Sequence, residues 1–147
     1  MISAELGYGK TVTALLDHGA QDIPSNSSNP NQWSSLMLAA KNGHADVVKL
    51  MMDRIPDKNP KTFDGRCPIH FAASKGHFQT VQLIMEEIQD KNPKTDRGIT
   101  PLHLASQNGH LEICKLIIVN VNNKKKFTST KIRKFLFKCT CNFCPKY

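Results

Sequence analysis

The hexapeptide Asp-Lys-Asn-Pro-Lys-Thr occupies residues 57–62 and recurs unchanged at 90–95, 33 positions later. Sliding the chain against itself by 33 extends the match in both directions. GRCPIHFAASKGHFQTVQLIMEEI (65–88) falls on GITPLHLASQNGHLEICKLIIVNV (98–121), and NQWSSLMLAAKNGHADVVKLMMDRI (31–55) lies in register one period earlier. Gly43-His44, Gly76-His77 and Gly109-His110 mark the same phase. Gly7, Val12, Leu15, Leu16 and Gly19-Ala20 read as the second half of one more unit, followed by three extra residues in the Ser/Asn-rich stretch QDIPSNSSNPN. A fixed period of 20–50 residues confines a chain to stacking, because one short unit cannot bury its apolar face alone.

Each unit carries two helical patterns. In the first, Thr100 is placed to cap a short helix and Pro101 to occupy its first position, where a missing N–H costs nothing. Leu102, Ala105 and Ser106 follow at helical spacing, and Gly109 permits a left-handed stop. In the second, Ile113, Leu116, Ile117 and Val121 form an apolar face, with Val47, Leu50, Met51 and Ile55, then Thr80, Leu83, Ile84 and Ile88 as counterparts. Small alanines on the short helix let the two helices approach closely.

Thr100-Pro101-Leu102-His103-Leu104-Ala105, followed by Gly109-His110 and Leu116-Ile117-Ile118, resembles the ankyrin repeat, whose period is 33 and whose signature is T-P-L-H-x-A. Ser34-Ser35-Leu36-Met37 and Cys67-Pro68-Ile69-His70 replace that signature in the other two units. The resemblance implies an all-α solenoid of helix–turn–helix units with projecting hairpin loops. It divides the chain into a partial unit and loop (1–30), units at 31–63, 64–96 and 97–124, the last incomplete at its C-terminal end, and a basic, Cys-containing tail at 125–147 expected to be disordered. The repeat motif then rests on Gly43, His44, Pro68, His70, Gly76, His77, Thr100, Pro101, Leu102, His103, Gly109 and His110.

Ankyrin repeats usually close the second helix with Gly-Ala. Gly19-Ala20 keeps that pair, but Ile55, Ile88 and Val121 hold the glycine position elsewhere. A β-branched residue sits badly in a left-handed cap. Asn59-Pro60 and Asn92-Pro93 are therefore expected to stop the helices, since proline drives the preceding residue out of helical space. Asp64-Gly65 and Arg97-Gly98 would supply the hairpin turns.

Composition bounds the function. At 147 residues, 39% of them apolar, the chain suits one globular domain with a tail and is too apolar for a fully disordered one. The net charge of +8 resembles a nucleic-acid signal until it is located: residues 1–122 hold equal numbers of basic and acidic side chains, and the whole excess lies in 123–147. No apolar run is long enough to span a bilayer, and the first ten residues lack the basic start and apolar stretch of a secretory signal. An odd count of five cysteines fits a reducing compartment, cytoplasmic or nuclear.

Four features resemble chemistry. AELGYGKT (4–11) fits a relaxed phosphate-binding loop, but such a loop needs a preceding strand, and the repeat register accounts for the same residues as a helix–turn–helix. His44, His77 and His110 hold the Gly-His turn, His70 and His103 the signature position, and His18 precedes Gly19-Ala20. No nucleophile and orienting group accompany them. Cys139, Cys141 and Cys144 supply three thiols where zinc wants four ligands, so no metal site or cofactor is expected. KKKFTSTKIRKFLFK (124–138) interleaves basic and apolar residues, and suits either a solvated tail or a weak contact with an anionic membrane or nucleic acid. Register is lost at both ends. The chain is therefore expected to be part of a longer array, or its tail to come from another reading of the gene.

These readings point to a non-enzymatic scaffold. It would bind another protein through the concave face of its short helices and its hairpin tips, as a monomer without a small-molecule substrate. A bipartite adaptor using the basic tail is the alternative. Contact positions are those exposed and variable between units: Trp33, Arg66 and Ile99; Lys41, Ser74 and Gln107; Lys75 and Asn108, with Asn42 in the same register; and Phe63 and Arg97 near hairpin tips. Trp33 either anchors a partner or merely covers the first full unit. Val12, Leu15 and Leu16 are expected to be poorly covered, and the array to be marginally stable with a mobile N-terminal half unit.

Overall fold

Two layers of helices run in parallel through a computed structural model that describes residues 2–18 and 33–122. The first layer contains α1 (Ile2–Glu5), α3 (Ser35–Asn42), α5 (Pro68–Lys75) and α7 (Pro101–Gln107). The second contains α2 (Gly9–Asp17), α4 (Ala45–Arg54), α6 (Phe78–Glu87) and α8 (Leu111–Asn122). Each helix packs on the next in its own layer and on its partner across the layers. Among the described residues there is no strand, and the architecture is an all-α repeat solenoid. No described helix is long and apolar enough to cross a membrane.

Local chemistry sets the ends of the short helices. The Ser34 hydroxyl accepts the Met37 N–H at 3.3 Å, and the Thr100 hydroxyl accepts that of His103 at 3.4 Å. Pro68 and Pro101 begin their helices, where no hydrogen bond is forfeited. Gly76 closes α5 at φ +81° and Gly109 follows α7 at φ +76°, a region that penalises any Cβ. Between the layers Ala39, Ala40, Ala72, Ala73 and Ala105 are fully buried, as close helix approach requires. The long helices supply the bulk of the core: Val47, Val48, Met51 and Met52, then Val81, Ile84 and Met85, then Ile113 and Ile117. Each is worth roughly 1.5–3 kcal/mol over leaving it exposed.

Three expectations need correction. The long helices do not run on to the Asn-Pro pairs. They stop at Ile55 (φ −89°, ψ 141°) and Ile88 (φ −94°, ψ 149°), both extended and buried against the core. An extended cap suits a β-branched residue, and Pro56 reinforces it after Ile55. In the second unit the Lys91 ammonium donates to the carbonyls of Met85 and Ile88, placing a cation at the negative helix end. Val121 is not a cap at all, because α8 continues through it to Asn122. Val12, expected to be poorly covered, is 5% exposed, while the side chains of Leu15 and Leu16 lie outside the described residues. So do Gly19-Ala20, the Ser/Asn-rich stretch and the whole tail from 123 onward.

The repeated hexapeptide forms the connector between units. Asp57 and Asp90 accept the N–H two residues on, at 3.0 and 3.1 Å, in matching Asx turns. Asn92 reaches into the next unit and accepts the Leu102 N–H at 3.3 Å. Pro60 and Pro93 are buried. Thr62 and Thr95 hold hairpins with the same bonds: N–H to the carbonyls of Arg66 and Ile99, both 2.9 Å, and hydroxyls accepting their N–H at 3.0 and 3.1 Å. The hairpins also join each other, the Asp96 N–H donating to Asp64 O at 3.2 Å.

Candidate functional site

The histidines of the Gly-His turns form a ladder between units. Through Nε2, His44 bonds the carbonyl of Glu5 (2.8 Å), His77 that of Lys41 (2.9 Å) and His110 that of Ser74 (3.2 Å). Each ring lies over the turn glycine of the preceding unit, so that a Cβ on Gly7, Gly43 or Gly76 would fall 2.5–2.7 Å from it. His70 is fully buried: Nδ1 accepts the Cys67 N–H at 3.1 Å and Nε2 meets Ile99 O at 3.3 Å. Desolvation holds its imidazole below the ordinary range, so it stays neutral near pH 7. His103 bonds within its own cap, to the N–H and hydroxyl of Thr100. Five histidines thus serve the stack.

The AELGYGKT segment follows no strand. It spans the end of α1, a turn and the start of α2, with Gly7 under the His44 ring and Gly9 placed so that an added Cβ would lie 3.7 Å from the Asp46 carboxylate. Phosphates placed there would meet that carboxylate, so the segment has the repeat's geometry and not a phosphate cradle. Burial pushes the Cys67 thiol up to about 11, which leaves it unreactive. Among the described residues no three His, Cys, Asp or Glu side chains approach closely enough to hold a metal ion.

The short-helix layer bears a shallow groove of about 180 Å³, lined by Trp33, Lys41, Arg66, His70, Phe71, Ser74, Lys75 and Leu104. Its floor is the pair Trp33–Phe71, with centroids 4.7 Å apart and planes tilted by 46°. The Lys41 ammonium sits 4.6 Å from the Trp33 ring centroid, an attraction of ring quadrupole and cation. Arg66 pairs with Asp64 at 2.9 Å. Slight burial raises the Asp64 carboxyl, but the Thr62 hydroxyl and Arg66 outweigh it and hold the carboxyl below its usual range. The volume is under the roughly 300–1,000 Å³ of small-molecule pockets and suits one large side chain.

Of the ten positions expected to make contacts, the groove gathers five: Trp33, Lys41, Arg66, Ser74 and Lys75. Ile99 is half-buried and gives its carbonyl to His70. Gln107 and Asn108 are exposed at the end of α7. Phe63, 82% exposed, and Arg97, also exposed, lie in the hairpins away from the groove. Phe71 and Leu104 escaped the sequence reading. Both hold the open position of T-P-L-H-x-A, and the variation there (Leu38, Phe71, Leu104) was the signal that would have found them. Trp33 does more than cover its own unit, because its ring packs on the next one.

A family model described as "Ankyrin repeats (3 copies)" matches residues 1–62 and 36–130. No curated protein matches the chain.

Proposed function

The chain belongs to the ankyrin-repeat family, whose members serve generally as protein–protein interaction modules, and from that premise we propose that it is a scaffold gripping a partner protein in the groove around Trp33. The observation that carries this reading is the Trp33–Phe71 pair. It is an aromatic surface bridging two units, left partly open to solvent on the short-helix layer. Trp33 is the only tryptophan, of a residue type enriched where binding energy concentrates. The groove is held by packed helices, so little conformational freedom is lost on docking.

The described part of the fold offers an interaction surface without a converging nucleophile, base and orienting group, which favours a binding role over catalysis. Cys67 and Cys114, buried as thiols, suit a reducing cytoplasmic or nuclear setting. The test is affinity capture with the full chain against its Trp33→Ala variant. A partner retained by the first and lost by the second, at unchanged helical content, supports the reading. Equal recovery by both sinks it.

A further inference from the structure

We infer that the groove takes an acidic stretch of a partner protein that inserts one bulky apolar side chain against Trp33 and Phe71. This rests on the binding role proposed above and names the partner's chemistry. Three cations, Lys41, Arg66 and Lys75, line the groove, and no Asp or Glu does. They surround an apolar floor made of two aromatic rings. Among the described residues only Arg66 of these three has a carboxylate partner nearby, at 2.9 Å, and that pair is half exposed and open to exchange. This local excess is notable in residues 1–122, whose formal charges cancel. Complementary charge steers encounter and rejects wrong partners, while the apolar anchor supplies most of the affinity.

The same features argue against other occupants. The chain's own residues 123–147 hold eight basic side chains and no acidic one, so they would be repelled. A nucleic acid would bring phosphates, but a base stacking on the Trp33 face that Lys41 covers would first have to displace that ammonium. The groove also accommodates one side chain and lacks the length of basic track that follows a nucleic-acid backbone.

Panning a random twelve-residue peptide library on the full chain tests this. Trp33, being the sole tryptophan, reports binding of the selected peptides, resynthesised without Trp, by its own fluorescence. The expected winners are rich in Asp and Glu around one Leu, Ile or Phe. Their affinity should fall about three- to tenfold for each of Lys75→Glu and Arg66→Glu, and further when the apolar residue becomes Ala. Circular dichroism of both variants confirms folding. Basic or uncharged winners, no enrichment, unchanged affinity in folded variants, or stronger binding of a single-stranded oligothymidine would each overturn the inference. If capture still depends on Trp33 while the winners are not acidic, only this inference falls. If capture ignores Trp33, the broader reading falls with it.

Discussion

The units built on α5–α6 and on α7–α8 have nearly the same sequence pattern but different surroundings. In the central unit His70 is fully buried and spends its outer nitrogen on a carbonyl of the next unit. Its counterpart His103 is exposed and, among the described residues, bonds to its own cap. Gly76 lies under the ring of His110, whereas Gly109 has nothing within 4 Å among the described residues. Cys67 stands where Thr100 makes a full hydroxyl cap. The unit with the fewer described neighbours thus has the better local signals, and the enclosed unit relies on contacts between units. Local propensity and tertiary packing substitute for each other along the array.

The largest expected difference comes from adding one methyl group at equivalent glycines. Gly76→Ala places a Cβ 2.6 Å from His110, forcing the ring off its seat and breaking its bond to Ser74 O. Gly109→Ala meets only the left-handed backbone penalty, about 1–2 kcal/mol. Loss of the ladder bond and packing should bring Gly76→Ala to about 3 kcal/mol or more. Urea denaturation of both variants measures the gap. Equal losses would mean that the histidine ladder carries no stability.

A similar contrast separates the signature histidines. His70→Ala removes a buried ring and leaves the Cys67 N–H and Ile99 carbonyl without it, at about 2–3 kcal/mol. His103→Ala loses an exposed capping partner, at about 1 kcal/mol. The ratio of the two, read from unfolding midpoints, sharpens the comparison. If His103 costs as much as His70, the open end of the described stack is more tightly held than its exposure indicates.

Acidification should expose the same asymmetry more gently. His70 titrates below its ordinary value when folded and near about 6.5 when unfolded. Below about pH 6.5 the unfolded chain therefore binds the extra proton, and stability falls as pH drops toward the folded value. The contribution is fully present above that window. The slope from this residue cannot exceed about 1.4 kcal/mol per pH unit. Midpoints measured from pH 7.5 to 5 should decline less steeply in His70→Gln than in the parent. Parallel curves would remove His70 as the cause.

These differences show what sequence could and could not disclose. The 33-residue period implied stacking, and the apolar spacing and turn residues within each unit implied the helix pairs and glycine turns, because these signals are local. The long-helix ends were misplaced. Whether Ile55 and Ile88 adopt a left-handed or extended cap depends on the core they bury against and, for Ile88, on Lys91 reaching back. The groove was half legible. Variation between units marked Trp33, Lys41, Arg66, Ser74 and Lys75, but not Phe71, which sits between two signature residues. Only the packing of Trp33 across the unit boundary brought it to the site.

The smallest effect should be a gain. At the capping positions of α3, α5 and α7 stand Ser34, Cys67 and Thr100, and all three are buried. Ser34 shows that a serine fits there and accepts the N–H three residues on. Cys67 is a weaker acceptor, and its side chain serves chiefly as a small apolar filler. Cys67→Ser should therefore stabilise the central unit by about 0.5–1 kcal/mol through the added cap, less whatever apolar burial the sulfur contributes. Chemical denaturation with and without the substitution gives the net sign. A thiol held at about 11 should also resist a disulfide reagent in the folded parent and react only on unfolding, so the same titration can be followed at the sulfur. A loss of stability in Cys67→Ser would show that enclosure between units has made position 67 part of the core. The two units would then differ in what this position does as well as in how well it is capped.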